Sequence, residues 1–356
     1  MPTPMFPERP RNEDEYEDVE IDPEPEIDLD DLVELDELED LDSDIPAILA
    51  TPPAEPATGS LAAFDSGVVR EADVAALSDL GRTAARTFAS AWPALPVETR
   101  RRILEVMEEL TEERFDLDFG RSVRVAMRDE DAVVRQRALQ ALWGDDDEAL
   151  VTPLLDLLRD DPSPDVRAEA ARSLAPFALL AEAGDLAEDV TDRVRERLMS
   201  IATDDGEDPL VQRIALESAA VFGGEEVSEL IRDAYDSGEH DRIGSALFAM
   251  GRTHDKMWLP FLLEELASED AQLRYESARA LGTIGSDAAV AELLAAMDGE
   301  EDVEVRHAAI AALGEIGSKS AKRALETIAA HAEEADAEAI QAALEEAAFA
   351  IGEIGL

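Results

Sequence analysis

The chain has 356 residues, a formal net charge of −54 and no cysteine. Its length allows two ordinary domains or one array of repeats, and the lack of cysteine excludes disulfides, thiol catalysis and cysteine-based metal sites. With 85 acidic residues against 31 basic ones, the chain repels phosphate backbones, which argues against nucleic acid as a ligand.

The first 15 residues contain no apolar core of the kind found in a signal peptide. No apolar run in the chain approaches the roughly 18–20 residues that a membrane span needs. We therefore expect a cytoplasmic protein that does not enter a membrane.

Residues 1–64 are predicted to be a disordered acidic tail. The first 60 residues hold 21 acidic residues and only two arginines, and ten prolines interrupt them. A segment of this composition cannot bury enough apolar surface to fold alone.

One part of this tail, residues 26–49, alternates acidic and aliphatic side chains. Leu32, Leu35 and Leu38 recur every third residue, so they would share one edge if the segment became helical on a partner. Two interpretations stay open at this point. The segment is either a solvated tail that keeps the chain soluble, or a partner-binding arm that docks through the three leucines.

Residues 65–356 contain a repeated phrase, V-R-x-x-A-x-x-A-L. Its arginines are Arg135, Arg167, Arg274 and Arg306, and a leucine follows each of them by seven residues. The first two arginines are 32 residues apart, and so are the last two. A period of about 30–45 residues is typical of a solenoid, in which one unit cannot bury its apolar face alone.

Each unit is predicted to contain two helices. Asp131, Ser163, Asp270 and Asp302 each stand four residues before a repeat arginine, where they can cap the first helix. The second helix carries apolar residues at helical spacing, which predicts a buried stripe. In three units these residues are Val151, Leu154, Leu155 and Leu158; Leu259, Leu262, Leu263 and Leu266; and Val290, Leu293, Leu294 and Met297.

Glycines mark the predicted ends of the first helices. Gly282 and Gly285 follow one copy of the phrase, and Gly314 and Gly317 follow the next. Glycine adopts the left-handed conformation that stops a helix without steric cost, so all four are expected to serve this end.

This pattern resembles the HEAT repeat, in the short variety found in phycobilin-lyase-like HEAT proteins. The resemblance covers about residues 97–356 and weakens between 184 and 250, where one unit carries an insertion. It implies an all-α HEAT-like solenoid, a right-handed superhelix of about seven helix pairs, with the first helices on its convex side and the second helices on its concave side. It also implies that recurrent positions such as Asp302 and Arg306 join adjacent units, so we interpret the repeat arginines and aspartates as structural.

No catalytic constellation is found. The HEAT enzyme deoxyhypusine hydroxylase holds a di-iron centre with His-Glu pairs, and none of the four histidines here precedes a glutamate. The acidic runs at residues 145–148 and 204–208 lack the spacing of a calcium loop. The sequence therefore predicts no catalytic residue, no metal ligand and no cofactor.

Trp258 is the remaining candidate for a partner contact, because it precedes the apolar stripe of a second helix by one position. A half-exposed tryptophan on a concave face is a good anchor for a partner. The alternative is that the ring packs against a neighbouring unit, as large aromatic side chains mostly do.

These features favour a non-enzymatic protein–protein interaction scaffold. The concave side of the solenoid would bind a partner that has a basic surface, and the acidic tail would act as an accessory arm. An enzyme-associated role on the same fold, similar to that of a bilin lyase or an oxidoreductase, is the alternative. The oligomeric state is not indicated, and halophilic adaptation is a further explanation of the acidity.

Overall fold

The computed structural model describes residues 60–114, 116–142, 146–330 and 334–352, so most of the predicted tail, with Leu32, Leu35 and Leu38, lies outside it. The described residues form eighteen α-helices, short 3-10 helices and no strand. None of these helices is both long and apolar enough to cross a membrane. The helices are α1 (Glu71–Ala75), α2 (Arg82–Ala91), α3 (Val97–Glu113), α4 (Gly120–Ala126), α5 (Ala132–Gln140), α6 (Val151–Asp160), α7 (Pro164–Ser173), α8 (Ala175–Ala183), α9 (Glu188–Ala202), α10 (Pro209–Ala219), α11 (Gly224–Tyr235), α12 (His240–Arg252), α13 (Leu259–Glu265), α14 (Ala271–Ile284), α15 (Val290–Ala296), α16 (Val303–Ile316), α17 (Lys319–Ala329) and α18 (Ala337–Ala350).

The helices stack as successive hairpins. The first helices, namely α1, α3, α5, α7, α10, α12, α14, α16 and α18, pack one against the next along the stack. The helices between them are the second helices of eight hairpins, and α18 ends the described part of the stack. One hairpin carries an extra helix, because both α8 and α9 lie between α7 and α10. The prediction of an all-α solenoid is confirmed.

The predicted caps begin several first helices. Asp131, Asp270 and Asp302 each have extended backbone, and each side chain accepts a hydrogen bond from a backbone N–H in the first turn, at 3.1, 2.8 and 3.0 Å. Ser163 also occupies a cap position, but its hydroxyl makes no capping bond. An aspartate cap stabilises a helix by about 0.5–2 kcal/mol, so these residues help to fix where each unit begins.

The glycines have two different roles, which corrects the prediction for two of them. Gly285 and Gly317 end α14 and α16 in the left-handed conformation, with φ of 66° and 58°. Gly282 and Gly314 instead lie inside those helices. A Cβ at Gly282 would be 2.7 Å from the Cα of Ala312 in α16, and Gly314 repeats this close contact one unit later. Glycine is needed there because the two helix backbones touch.

The core runs along the whole stack in two regions. One extends from Leu61 to Ala219 and the other from Leu216 to Ala347, and α10 contributes to both. Leu61 and Phe64 are only 4% and 1% exposed. Both side chains belong to the first core region, although they fall within the predicted tail.

Candidate partner-binding surface

The repeat arginines are held inside the solenoid by carboxylates of the next unit. Arg135 donates two hydrogen bonds of 2.7 Å to Asp161, and two more, of 2.9 and 3.1 Å, to the carbonyl oxygens of Asp129 and Glu130. Asp161 also accepts the backbone N–H of Ser163 at 2.9 Å. One guanidinium thus joins the loop before its own helix to the loop before the next first helix.

This link, which we call a rung, recurs along the stack. The other rungs are Arg167–Glu207, Arg274–Glu300 and Arg306–Asp336, with shortest N–O distances of 2.6, 2.7 and 3.1 Å. In each, the guanidinium also donates to one or two carbonyl oxygens five or six residues before it. Because these groups are engaged with one another, the repeat arginines have a structural place in the fold.

Trp258 packs inside the solenoid and offers no surface to a partner, so its interpretation as an anchor is wrong. Its side chain has no exposed area, and its ring lies 5.7 Å from that of Phe261. The guanidinium of Arg232 covers the ring at 5.5 Å. The ring turns inward because residues 256–258 form a 3-10 turn, capped by Asp255, before α13 begins. Trp258 is therefore buried beneath α11 and α13.

The exposed faces of the second helices near Trp258 along the chain are acidic. Three consecutive second helices, α11, α13 and α15, contain seven acidic residues and one base, Arg232, which lies over the tryptophan. The exposed acids are Glu225, Glu226, Glu229 and Asp233 on α11, Glu264 on α13 and Glu292 on α15. We call this set the acidic second-helix surface. Its excess of negative charge attracts cationic groups and speeds their encounter.

A cleft of about 600 Å3 opens between α13 and α15. Leu263, Leu266, Ala295 and Ala296 contribute apolar lining, and three exposed acids, Glu292, Asp298 and Glu301, lie at its edge. Glu300 also lines the cleft, but it is engaged by Arg274 in a rung. This α13–α15 cleft combines an apolar wall with carboxylates, an arrangement that suits the aliphatic stem and charged end of a lysine or arginine side chain.

A partly buried hydrogen bond fixes α11 against α13. The hydroxyl of Tyr235 donates to Glu265 at 2.8 Å, and the Tyr235 ring meets that of Phe261 edge to face at 5.5 Å. Burial first, and then the hydrogen bond to Glu265, raises the pKa of Tyr235. Glu265 is consequently tied into the scaffold, while Glu264 beside it stays exposed.

The described histidines bind to neighbouring units. His240 lies 3.0 Å from Asp270, His307 lies 3.0 Å from Asp336, and His254 lies 2.8 Å from a backbone carbonyl oxygen. His331 is outside the described residues. Within the part of the chain that the structure describes, no three acidic or histidine side chains are arranged to hold a metal ion.

Comparison with known proteins identifies the repeat. The family model for HEAT repeats matches residues 123–192 and 259–348. Human deoxyhypusine hydroxylase in complex with glycerol is a similar solved structure, at 22% identity and a TM-score of 0.33, over 78% of this chain and 97% of that one. An engineered protein is 24% identical with a TM-score of 0.36, over 56% of this chain and 97% of its own. No curated protein matches the chain.

Proposed function

Because residues 123–192 and 259–348 are HEAT repeats, we propose that the chain is a non-enzymatic scaffold that binds another protein. The partner carries a basic surface and binds on the side of the second helices, which is the concave side of a HEAT solenoid. The interaction takes place in the cytoplasm. The observation that carries this proposal is the acidic second-helix surface with the α13–α15 cleft beside it.

Charge and shape together support a protein partner. A single exposed ion pair contributes only about 0.2–1 kcal/mol, so a row of separate carboxylates needs a partner that presents several cations at matching intervals. A protein surface or an extended basic segment meets this requirement. The apolar residues of the cleft, among them Leu263 and Leu266, add contact area where a basic side chain inserts its stem.

Affinity capture with charge-neutralised variants tests the proposal. The site variant is Glu292→Gln, Asp298→Asn and Glu301→Gln, which removes the carboxylates at the edge of the cleft. The control variant is Glu304→Gln, Glu338→Gln and Glu345→Gln, which removes three exposed acids of the first helices α16 and α18. Both variants have the same net charge, so a difference between them reports position.

We expect the unmodified chain and the control variant to capture the same basic partner from a lysate of the source cells. The site variant captures less of it, and capture by all three falls as the salt concentration rises. Equal capture by the two variants, or capture that salt does not affect, would contradict the proposal.

The acidic tail is proposed to act as an accessory arm in this interaction. Its support is the regular spacing of Leu32, Leu35 and Leu38 among acidic residues. Deletion of residues 26–49 should lower the affinity for the captured partner, and replacement of the three leucines by serine should lower it as well. A deletion that leaves the affinity unchanged would show that the tail takes no part.

A further inference from the structure

The joint between the α10–α11 hairpin and the α12–α13 hairpin lacks a rung. In α10 the residue at the position of the repeat arginine is Gln212, and the residue at the position of the partner acid is Ser237. Gln212 donates to the carbonyl oxygen of Asp204 at 2.5 Å, as the arginines do within their own loops. Ser237 accepts the backbone N–H of Glu239 at 3.2 Å, as the acids do for their caps. Each side chain keeps its local bond, but the link between units is absent.

The hydrophobic core also changes at this helix. α10 contributes Val211 and Ile214, with other residues, to the first core region and Leu216 to the second, and Ala220, which follows α10, also belongs to the second. A cleft of about 250 Å3 lies here, bordered by Leu216 and by residues of α9, α11 and α12. The second core region also contains Val227 and Ile231 of α11 and Ala246 of α12, so apolar packing continues across this joint, and the missing rung is what distinguishes it.

The polar contacts that remain across the joint are weaker than a rung. Glu217 accepts a hydrogen bond from Ser245 at 2.5 Å, and burial raises the pKa of Glu217. Arg213 lies 3.6 Å from Asp241, whose side chain is 72% exposed. An exposed pair at this distance contributes little to stability.

The 250 Å3 cleft does not indicate a ligand, because charges of both signs line it. Arg213 and Arg242 line it, and so do Asp205 and Asp233. Its position at the joint, and not its chemistry, is what distinguishes it.

The next joint also lacks a repeat arginine, but other contacts hold it. His240 lies 3.0 Å from Asp270 across that joint. A Cβ at Gly251 would be 2.9 Å from the Cα of Ala280, so the backbones of α12 and α14 touch. Of these two joints, the one between the α10–α11 hairpin and the α12–α13 hairpin is consequently expected to be the more mobile.

We propose that this joint is a hinge. The second-helix side is the pivot, because Tyr235, Trp258 and Phe261 pack there and Tyr235 bonds Glu265 across the joint. The loop side, where Gln212 and Ser237 replace a rung, opens and closes. Motion about the hinge changes the angle between the two parts of the solenoid, while Tyr235 and Glu265 keep α11 against α13. The proposal stands whether or not the acidic second-helix surface binds a partner.

Distance distributions between spin labels test the hinge. The chain has no cysteine, so two introduced cysteines can be labelled without background. Asp205→Cys with Glu301→Cys spans three joints that include the hinge. Ala94→Cys with Asp205→Cys spans three joints that hold Arg100–Asp129, Arg135–Asp161 and Arg167–Glu207. We expect a broader distribution for the first pair than for the second.

Restoring the rung should reverse the effect. In the labelled protein, Gln212→Arg with Ser237→Glu is expected to narrow the first distribution to the width of the control. Equal widths before the repair, or an unchanged width in a folded repaired protein, would overturn the hinge.

Hydrogen exchange of the unmodified chain provides a second measurement that needs no variant. Amides of residues 237–245, beside the missing rung, should exchange faster than those of residues 300–308, beside Arg274–Glu300. Equal protection in the two segments would also overturn the proposal.

Discussion

A rung should contribute far more to stability than an ion pair on the surface. The test is Arg135→Gln, which removes one partner of the pair with Asp161. The side chains of Arg135 and Asp161 are only 9% and 3% exposed. In the variant, Asp161 stays buried with one remaining backbone donor, that of Ser163.

The expected loss follows from this burial. Removing one partner of a buried ion pair costs about 3–5 kcal/mol, because the other charge is left without compensation. The lost hydrogen bonds to the carbonyl oxygens of Asp129 and Glu130 act in the same direction. We expect Arg135→Gln to lower the free energy of unfolding by about 3 kcal/mol or more.

The control is Arg102→Gln. Arg102 pairs with Glu105 and Glu109, and its side chain is 47% exposed. An exposed pair contributes about 0–1 kcal/mol. Both variants remove one arginine, so they change the net charge equally.

Urea unfolding followed by circular dichroism measures both variants. Repeat arrays can unfold in more than one step. For each variant we therefore compare the midpoint of the first unfolding transition and the resistance of the folded chain to protease. Arg135→Gln combined with Asp161→Asn should lose less than the sum of the single variants, with a coupling of about 1–3 kcal/mol. The reasoning fails if Arg135→Gln costs no more than Arg102→Gln, or if the two changes simply add.

Two further predictions concern other joints. Gly282→Ala should destabilise the chain by about 1–3 kcal/mol, because the new Cβ would overlap Ala312. In the control Gly244→Ala, in α12, the new Cβ meets no atom within 4 Å, so this change should stabilise the chain by up to about 1 kcal/mol. Thermal unfolding checks both variants, and equal effects would contradict the close packing of α14 on α16. The hydrogen bonds of His240 to Asp270 and then to Asp241 raise the pKa of His240. The protonated form is the one that these contacts stabilise, so their contribution is complete below pH about 6.5 and is lost as the pH rises through the folded pKa. Unfolding measured between pH 5 and 9 should show a small decrease that His240→Gln removes, and an identical pH profile in that variant would show that the pair contributes nothing.

The repeat itself could be predicted from the sequence because its signals are local. A cap such as Asp302, an arginine four residues later and an apolar stripe depend only on neighbours in the chain. The two roles of glycine could not be separated in this way. Gly282 and Gly285 look alike in the sequence, but one faces the backbone of Ala312 and the other ends the helix.

The site was harder to predict, because it depends on which residues face outward. Trp258 precedes an apolar stripe by one position in the sequence, but it ends a 3-10 turn and its side chain is buried in the core. The sequence shows that α11, α13 and α15 carry few basic residues. Only the structure shows that these three helices lie side by side. The missing rung was likewise visible as Gln212, yet the partner position Ser237 becomes recognisable only after the intact rungs are known.

The most direct test of the central claim is a hydrogen-exchange footprint of the chain in complex with its captured basic partner. The account predicts slower exchange on binding in residues 224–235, 259–265 and 290–301, which contain the acidic second-helix surface and the edge of the α13–α15 cleft. Protection confined to the first helices, such as residues 271–284 and 303–316, would contradict it.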